Sequence, residues 1–291
     1  MRFTEIGQQL RAYRLESGLR AEEIAARLGV SRAALYRYEK GEVIKLDTVK
    51  RLAELLKISP LSLLGIGVEY YSRPVGFLER GRQIEETADQ ILQVSGPLSY
   101  LITSDAYDTT LAALYEEAAD AAGEDRASMH TLAEQVLGIM SSRKRMYQAR
   151  RPGIIAMIPA GAVQRLLAQG IGAGAAASDS LRARCREVAA TEVEHIADTI
   201  EAEPMGLQFG LLPHTELSSS FEIMRSRDRA VLAMNPFRPD GIPGSQGGVA
   251  MVTAADEAIT AHQRVAESLW REALKGAPAA AQLRDLVAAA R

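Results

Sequence analysis

The stretch LGVSRAALYRYEKGE, residues 28–42, sets a glycine and a serine ahead of eight residues that hold two tyrosines and two arginines. Gly29 can turn the chain at positive φ, and Ser31 carries a side chain that caps a helix, so the pattern predicts a helix over Arg32 to Glu39. Its inward positions are Leu35 and Tyr38. The face left over is Arg32, Ala33, Tyr36 and Arg37, and Lys40-Gly41 closes the helix.

Working outward, Ala21 to Leu28 reads as a preceding helix with Ile24, Ala25 and Leu28 inward, and Ala25 is small where two helices would cross closely. Ile6, Leu10, Tyr13 and Arg14 recur at helical spacing before it, ending at Ser17-Gly18. Downstream, DTVKRLAELLKIS opens at Leu46 or Asp47 with Val49, Leu52, Ala53 and Leu56 on one stripe, and Pro60 suits the first turn of one more helix. Five short helices around one small core are expected over residues 1–65.

Residues 4–65 resemble the Xre/Cro-type helix-turn-helix domains of bacterial and phage repressors. The likeness is carried by LRAYRLESGLRAEEIAARLGVSRAALYRYEKGEVIKLDTVKRLAELLKIS, in which the arginine and glycine of the first turn, the Glu-Glu-apolar-Ala run, Gly-Val-Ser and the aromatic-Glu-x-Gly close follow in register. That resemblance implies a lambda-repressor-like all-α head whose third helix enters the major groove. It maps the base-facing positions to Arg32, Ala33, Tyr36 and Arg37, with Arg37 suited to guanine and Ala33 able only to touch a thymine methyl. The alternative for each arginine is a surface cation that meets phosphate alone. Backbone contacts are expected from Arg20, Ser31, Lys40, Lys45 and Thr48. The family's pairing of an arginine with the helix-three glutamate implies that Arg14 and Glu39 form a structural ion pair. Many relatives carry glutamine where this chain has Ala21, so either Arg20 substitutes as the phosphate anchor or anchoring there is weaker.

At 291 residues the chain exceeds one usual domain. Through Gly65 the formal net charge is +4, and the remainder carries −7, so only one end suits a polyanion. A single cysteine, Cys185, excludes an intrachain disulfide and a thiolate zinc site of several cysteines. The charged N-terminus does not read as a signal peptide and no long apolar run occurs, so a cytoplasmic, nucleoid-associated protein without a membrane partner is expected.

The glycine-bearing stretch 66–83 is read as a linker and hinge. Residues 84–276 then alternate strand and helix patterns, an α/β or α+β domain with a mixed sheet, and 277–291 is an alanine-rich tail. LERGRQIEETADQILQV reads as helical, PLSYLITS as strand-like, and GIIAMIPA, MGLQFGLLP, SFEIMRS, RAVLAMNPF and GGVAMVT as strands, SFEIMRS and RAVLAMNPF forming a hairpin. GIGAGAAASDS is a loop, without the strand that a dinucleotide site would need before it.

Catalytic constellations are weak. Glu192, His195 and Asp198 share a helical spacing that can ligate a metal, and Ser141 with Lys144 has the serine-x-x-lysine spacing of acyl-transfer enzymes, but neither has partner motifs. No catalytic residue, metal or cofactor is assigned. Arg143, Lys144, Arg145, Arg150 and Arg151 could hold an anionic effector or form a solvated face, and Pro213-His214 and Asn235-Pro236 are plausible pocket edges at strand ends. The expectation is a DNA-binding regulator acting as a homodimer on a two-fold-related operator, with a small-molecule effector in the second domain. Its rivals are an antitoxin-like or scaffold protein that binds a partner, and an enzyme fused to a DNA-binding head.

Overall fold

The computed structural model describes residues 3–64, 67–172, 177–238 and 240–291. The N-terminal helices are α1 (Phe3–Ser17), α2 (Ala21–Leu28), α3 (Arg32–Glu39), α4 (Leu46–Leu56) and α5 (Pro60–Leu63). Each begins where local chemistry allows. Ser31 Oγ accepts the Ala34 amide at 3.1 Å, Ser59 Oγ accepts that of Leu61, and Gly29 at φ 71° takes the left-handed conformation that ends α2. Leu10, Tyr13, Ile24, Leu28, Leu35, Val49, Leu52 and Leu63 fill the space between the helices. Fully burying one such side chain contributes roughly 1.5–3 kcal/mol.

The larger region contains β1 (Val68–Tyr71), α6 (Pro74–Glu85), β2 (Gln90–Val94), α7 (Asp105–Asp120), α8 (Arg126–Arg150), β3 (Gly153–Pro159), α9 (Ala160–Gln169), α10 (Asp179–Ala202), β4 (Leu207–Leu212), β5 (Phe221–Arg225), β6 (Ala230–Met234), β7 (Ala250–Thr253), α11 (Asp256–Glu272) and α12 (Gly276–Ala290). Its seven strands form one mixed sheet in the order β1-β7-β6-β5-β2-β3-β4, parallel across β2, β3 and β4 and antiparallel elsewhere. Strand alternation sends Leu92, Val94, Phe221, Ile223 and Leu232 to the face covered by α11. Ile91, Ala156, Met224, Val231 and Ala233 face the opposite layer, whose apolar cluster runs without a break into that of the N-terminal helices.

That continuity corrects the linker. Within 66–83, residues 68–71 are an edge strand paired with β7 and residues from Pro74 onward belong to α6, whose Val75, Phe77, Glu79, Arg80 and Gln83 are buried. One of its glycines, Gly76, reflects close packing. A Cβ on Gly76 would lie 2.8 Å from Glu16 Cβ of α1. The tail is likewise a helix: Ala279, Ala280, Leu283 and Val287 of α12 are buried, and Arg284 pairs with Asp198 and Glu201 of α10. The helix read through 78–94 stops at Glu85, and Gln90–Val94 becomes β2 because β3 and β5 both pair with it. With both edges of β2 taken, PLSYLITS has no ladder to join there and makes a single 3₁₀ turn, Tyr100–Ile102. Of the GIGAGAAASDS loop, residues 173–176 lie outside the described residues.

Candidate nucleic-acid interface

The seat of α3 is built by residues that do not face solvent. Leu35 is fully buried, and Arg14 of α1 donates to Glu39 through Nε (2.5 Å) and Nη2 (3.1 Å), tying α1 to the end of α3. Tyr38, read as inward, is only half-buried, whereas Ala34 takes an inward position instead. The opposite face of α3 presents Arg32, Ala33 and Arg37 to solvent. Tyr36 stands at its margin, half-buried, with the Arg32 guanidinium 5.3 Å and the Arg14 guanidinium 5.9 Å from its ring centre.

Both exposed arginines carry an internal carboxylate partner. Arg32 pairs with Glu22 of α2 at 2.7 Å and also donates to the Tyr36 hydroxyl, and Arg37 pairs with Glu42 at 2.9 Å. Surface pairs of this kind are worth at most about 1 kcal/mol, so either guanidinium can be released to a better acceptor. Around this face Ser31, Lys40 and Lys45 are exposed and Thr48 is half-exposed. Arg20 precedes α2 with Glu23 folded back on it: the carboxylate accepts from the Arg20 amide at 3.0 Å and from its guanidinium at 3.1 Å. The backbone hydrogen bond, then that guanidinium, hold the Glu23 carboxyl below its ordinary range. Ala21 is buried.

A cleft of about 420 Å³ separates this corner from α8, with Arg20, Ala21, Glu22 and Tyr36 on one wall and Ser128, Thr131, Leu132 and Gln135 on the other. The first turns of α8 thus border the end of α2.

The N-terminal helices dock on the sheet domain through α1. Gln9 donates to Glu69 of β1 at 2.6 Å, and Glu69 also receives both prongs of Arg80 (2.8 and 2.9 Å) and the Tyr71 hydroxyl. Arg11 pairs with Glu79 at 2.9 Å, and Gln83 donates to the Gln8 carbonyl. Burial pushes the Tyr71 phenol well up, so it acts as a neutral donor. Gln9 Oε1 and Gln83 Oε1 are buried there without a hydrogen-bond partner. An aromatic file crosses the same junction: Tyr13 of α1 stacks on Tyr71 (5.3 Å), Tyr71 meets Phe77 of α6 edge-on (6.4 Å), and Phe77 meets Phe237 (6.3 Å).

Phe77 and Phe237 belong to the wall of a cavity of about 350 Å³. It opens beyond β2 and between the start of β5 and the end of β6, under α6 and α8, with Asn235-Pro236 at its edge as strand-end reasoning expects; Pro213 and His214 are not among its lining residues. On the sheet side, Gln93 and Glu222 are direct cross-strand partners, and Gln93 Nε2 donates to Glu222 at 3.0 Å. Glu222 is paired on the other side with Ala233, whose short side chain leaves room above it.

The basic run 143–151 does not form one solvated face. Arg143 is buried, donating to Glu85 of α6 at 2.9 and 2.6 Å, and lines the cavity; Lys144 is buried and pairs with Asp108 at 2.7 Å. Arg145 turns outward onto Ser141 and Ser142, Arg150 reaches Asp89, and Arg151 ends α8 at φ 48°. Ser141 is exposed while Lys144 points inward, so the pair does not converge. Glu192 is buried and accepts from the Ser104 amide and hydroxyl at the start of α7, His195 is exposed, and Asp198 pairs with Arg284. Among the described residues no three His, Cys, Asp or Glu side chains are grouped to hold a metal, and no helix is long and apolar enough to cross a membrane. Sequence reasoning missed Gln93 and Glu222; a charged residue in the strand SFEIMRS was the one sign, and only strand pairing sets Gln93 beside it.

A search of curated proteins yields no match. One solved structure similar to the chain is described as that of TrmBL2, an archaeal chromatin protein, showing a novel mode of DNA binding; identity is 12%, the TM-score 0.34, and the match covers 79% of this chain and 62% of that one. Residues 5–64 match a family of helix-turn-helix domains, and with α2, the Gly29 turn and α3 as its geometric core, the N-terminal part of this chain is a helix-turn-helix domain.

Proposed function

We propose that the chain is a sequence-specific DNA-binding transcription regulator of the Xre type, cytoplasmic and acting as a homodimer on a two-fold-related operator, with the larger domain sensing a small organic effector rather than catalysing a reaction. What supports this best is the division of α3 into a locked inner face, Leu35 and Glu39, and an exposed face of Arg32, Ala33 and Arg37. In a major groove the two guanidinium groups exchange Glu22 and Glu42 for base edges, and a bidentate arginine-guanine contact carries roughly 1–3 kcal/mol of discrimination. Ser31, Lys40, Lys45, Thr48 and Arg20 supply phosphate contacts around it. One eight-residue helix reads few base pairs, so two copies are needed for useful specificity.

The effector part is supported by α6. One side of that helix carries Glu79 and Gln83 to α1 and Arg80 to Glu69 of β1, which holds Gln9 of α1, and another lines the cavity with Phe77, Leu78 and Gly81. A ligand that moves Phe77 moves the Tyr71-Tyr13 stack and the seat of α1 with it. The two unpaired amide oxygens at that junction, each costing about 1–3 kcal/mol, make the docking easier to shift than an apolar core would be.

The test is operator selection from random duplex DNA, followed by Arg32→Ala and Arg37→Ala. Each substitution should weaken operator binding about 5- to 150-fold, the equivalent of 1–3 kcal/mol, and relax preference at one base pair per half-site. Binding within threefold of the parent with unchanged base preference for both variants would end the proposal, as would a complex containing one chain per operator.

A further inference from the structure

We infer that the cavity of the larger domain takes a monocationic organic amine on an apolar, aromatic-sized body, its ammonium group placed against the Glu222 carboxylate. This rests on the effector reading above and names the chemistry of its ligand.

Charge bookkeeping within the wall singles out Glu222. Arg143 is already engaged by both prongs with Glu85, and Asp240 accepts from the Gly172 amide (2.7 Å) and from Arg238 (2.9 Å). Among the described residues Glu222 receives only the Gln93 amide, through Oε1, and its second oxygen has no hydrogen-bond donor. Gln93 is itself fixed, since its own oxygen accepts from Ser99 at 2.6 Å. The oxygen of a half-buried carboxylate left open in this way is an acceptor with capacity for an N–H donor.

The surrounding groups select the rest of the ligand. Phe77 with Phe237 on one wall and Tyr100 with Tyr107 on another form two ring pairs, at 6.3 and 6.1 Å. Ring faces attract an ammonium; the tyrosine rings already carry Lys144 Nζ (4.9 Å from the Tyr100 centre, 5.8 Å from that of Tyr107) and the Arg143 guanidinium (5.7 Å from Tyr100), so the phenylalanine pair is left for the ligand's ammonium and the tyrosines cover its apolar body, in a cavity of about 350 Å³ that falls within the usual range for small organic ligands. An anionic ligand would face Glu222 and would have to be held instead by Arg165 of α9, an exposed cation of the wall. A polyamine would bring further charges with no second open carboxylate in the wall, and it would meet Arg165, a cation on α9 that also lines the cavity.

The charge state agrees with this assignment. Burial, with Glu85 adding to it, pushes the Glu222 carboxyl up against the opposing pull of Arg143 and Gln93, and the neighbouring Lys144 spends its charge on Asp108. A bound ammonium favours the ionised form, so binding should release protons and weaken as pH falls through the Glu222 transition.

The experiment compares three probes of one shape on the full chain by calorimetry: 3-phenylpropylamine, 3-phenylpropanol and 3-phenylpropanoate. The amine should bind at least tenfold more tightly than either analogue, and Glu222→Gln should erase that advantage while leaving alcohol binding within threefold. Tighter binding of the acid, an amine advantage that survives Glu222→Gln, or no amine binding at millimolar concentration would overturn the inference. A thermal melt of Glu222→Gln within a few degrees of the parent excludes misfolding as the cause, and Glu222→Asp, which keeps the charge, should retain part of the preference. Operator affinity with and without saturating amine reads the two levels apart: amine binding that depends on Glu222 yet leaves DNA affinity unchanged sustains the ligand class and refutes the effector role.

Discussion

Replacing Arg14 with methionine keeps most of the side-chain volume over Tyr36 but removes both hydrogen bonds to Glu39, at 2.5 and 3.1 Å. Glu39, only 8% exposed, is then an unpaired carboxylate at the last position of α3, where the partial negative charge of the helix end repels it. Breaking a buried pair costs about 3–5 kcal/mol, and because the Arg14 side chain keeps 14% of its exposure, so that water reaches the site, about 2–3 kcal/mol is expected here. Hydrogen exchange of the α3 amides reads this loss locally: the Leu35 amide, bonded to the Ser31 carbonyl at 3.1 Å, should exchange about 30- to 150-fold faster. The double variant Arg14→Met/Glu39→Met removes both charges and should recover to within about 1 kcal/mol of the parent, since apolar replacement of a buried pair is often close to neutral. An acceleration below threefold in the single variant, or a double variant as fast as the single, would refute the assignment of this pair as the lock on α3.

Three further outcomes test the junction and the cavity. Phe77→Ala interrupts the aromatic file between Phe237 and Tyr71, so it should leave operator affinity without ligand within threefold and abolish the ligand's effect on it; an undiminished effect in a binding titration would remove α6 as the route. Gly76→Val should cost about 1–3 kcal/mol through overpacking against Glu16 and raise exchange along the α1–α6 contact while the β3–β4 core stays protected; equal protection throughout would mean that the contact tolerates the added volume. For Glu222, a carboxyl raised in the folded state loses stability as pH climbs from its unfolded value through its folded one. Glu222→Gln should therefore melt at the same temperature as the parent at pH 4 and above it at pH 8, and a difference that grows toward acid would have the sign wrong.

The local rules were strong where the structure is local. Gly29, Ser31, Leu35 and the apolar stripe of α4 define the helix-turn-helix from spacing and cap chemistry alone, because each signal lies within a few residues of the element that it ends or begins. The same holds for β3 to β7 and for α10 and α11, whose patterns are long or bounded by glycine and proline.

What the tertiary structure decided lies in the places where remote segments meet. Residues 68–71 become a strand only because β7, some 180 residues on, offers its edge, and Gln90–Val94 leaves the helical pattern because β3 and β5 pair with it on both sides. Buried charges are of the same kind: Arg143 and Lys144 belong to a basic run, and only folding supplies Glu85 and Asp108 to take them inward. Amino-acid order by itself determined the helix-turn-helix and the exposed face of α3, since capping and a 3.6-residue period act over one or two turns. The open acid of the cavity, and the helix that joins it to the DNA-binding head, depend on strand register and on side chains brought together from across the chain, which no local period encodes.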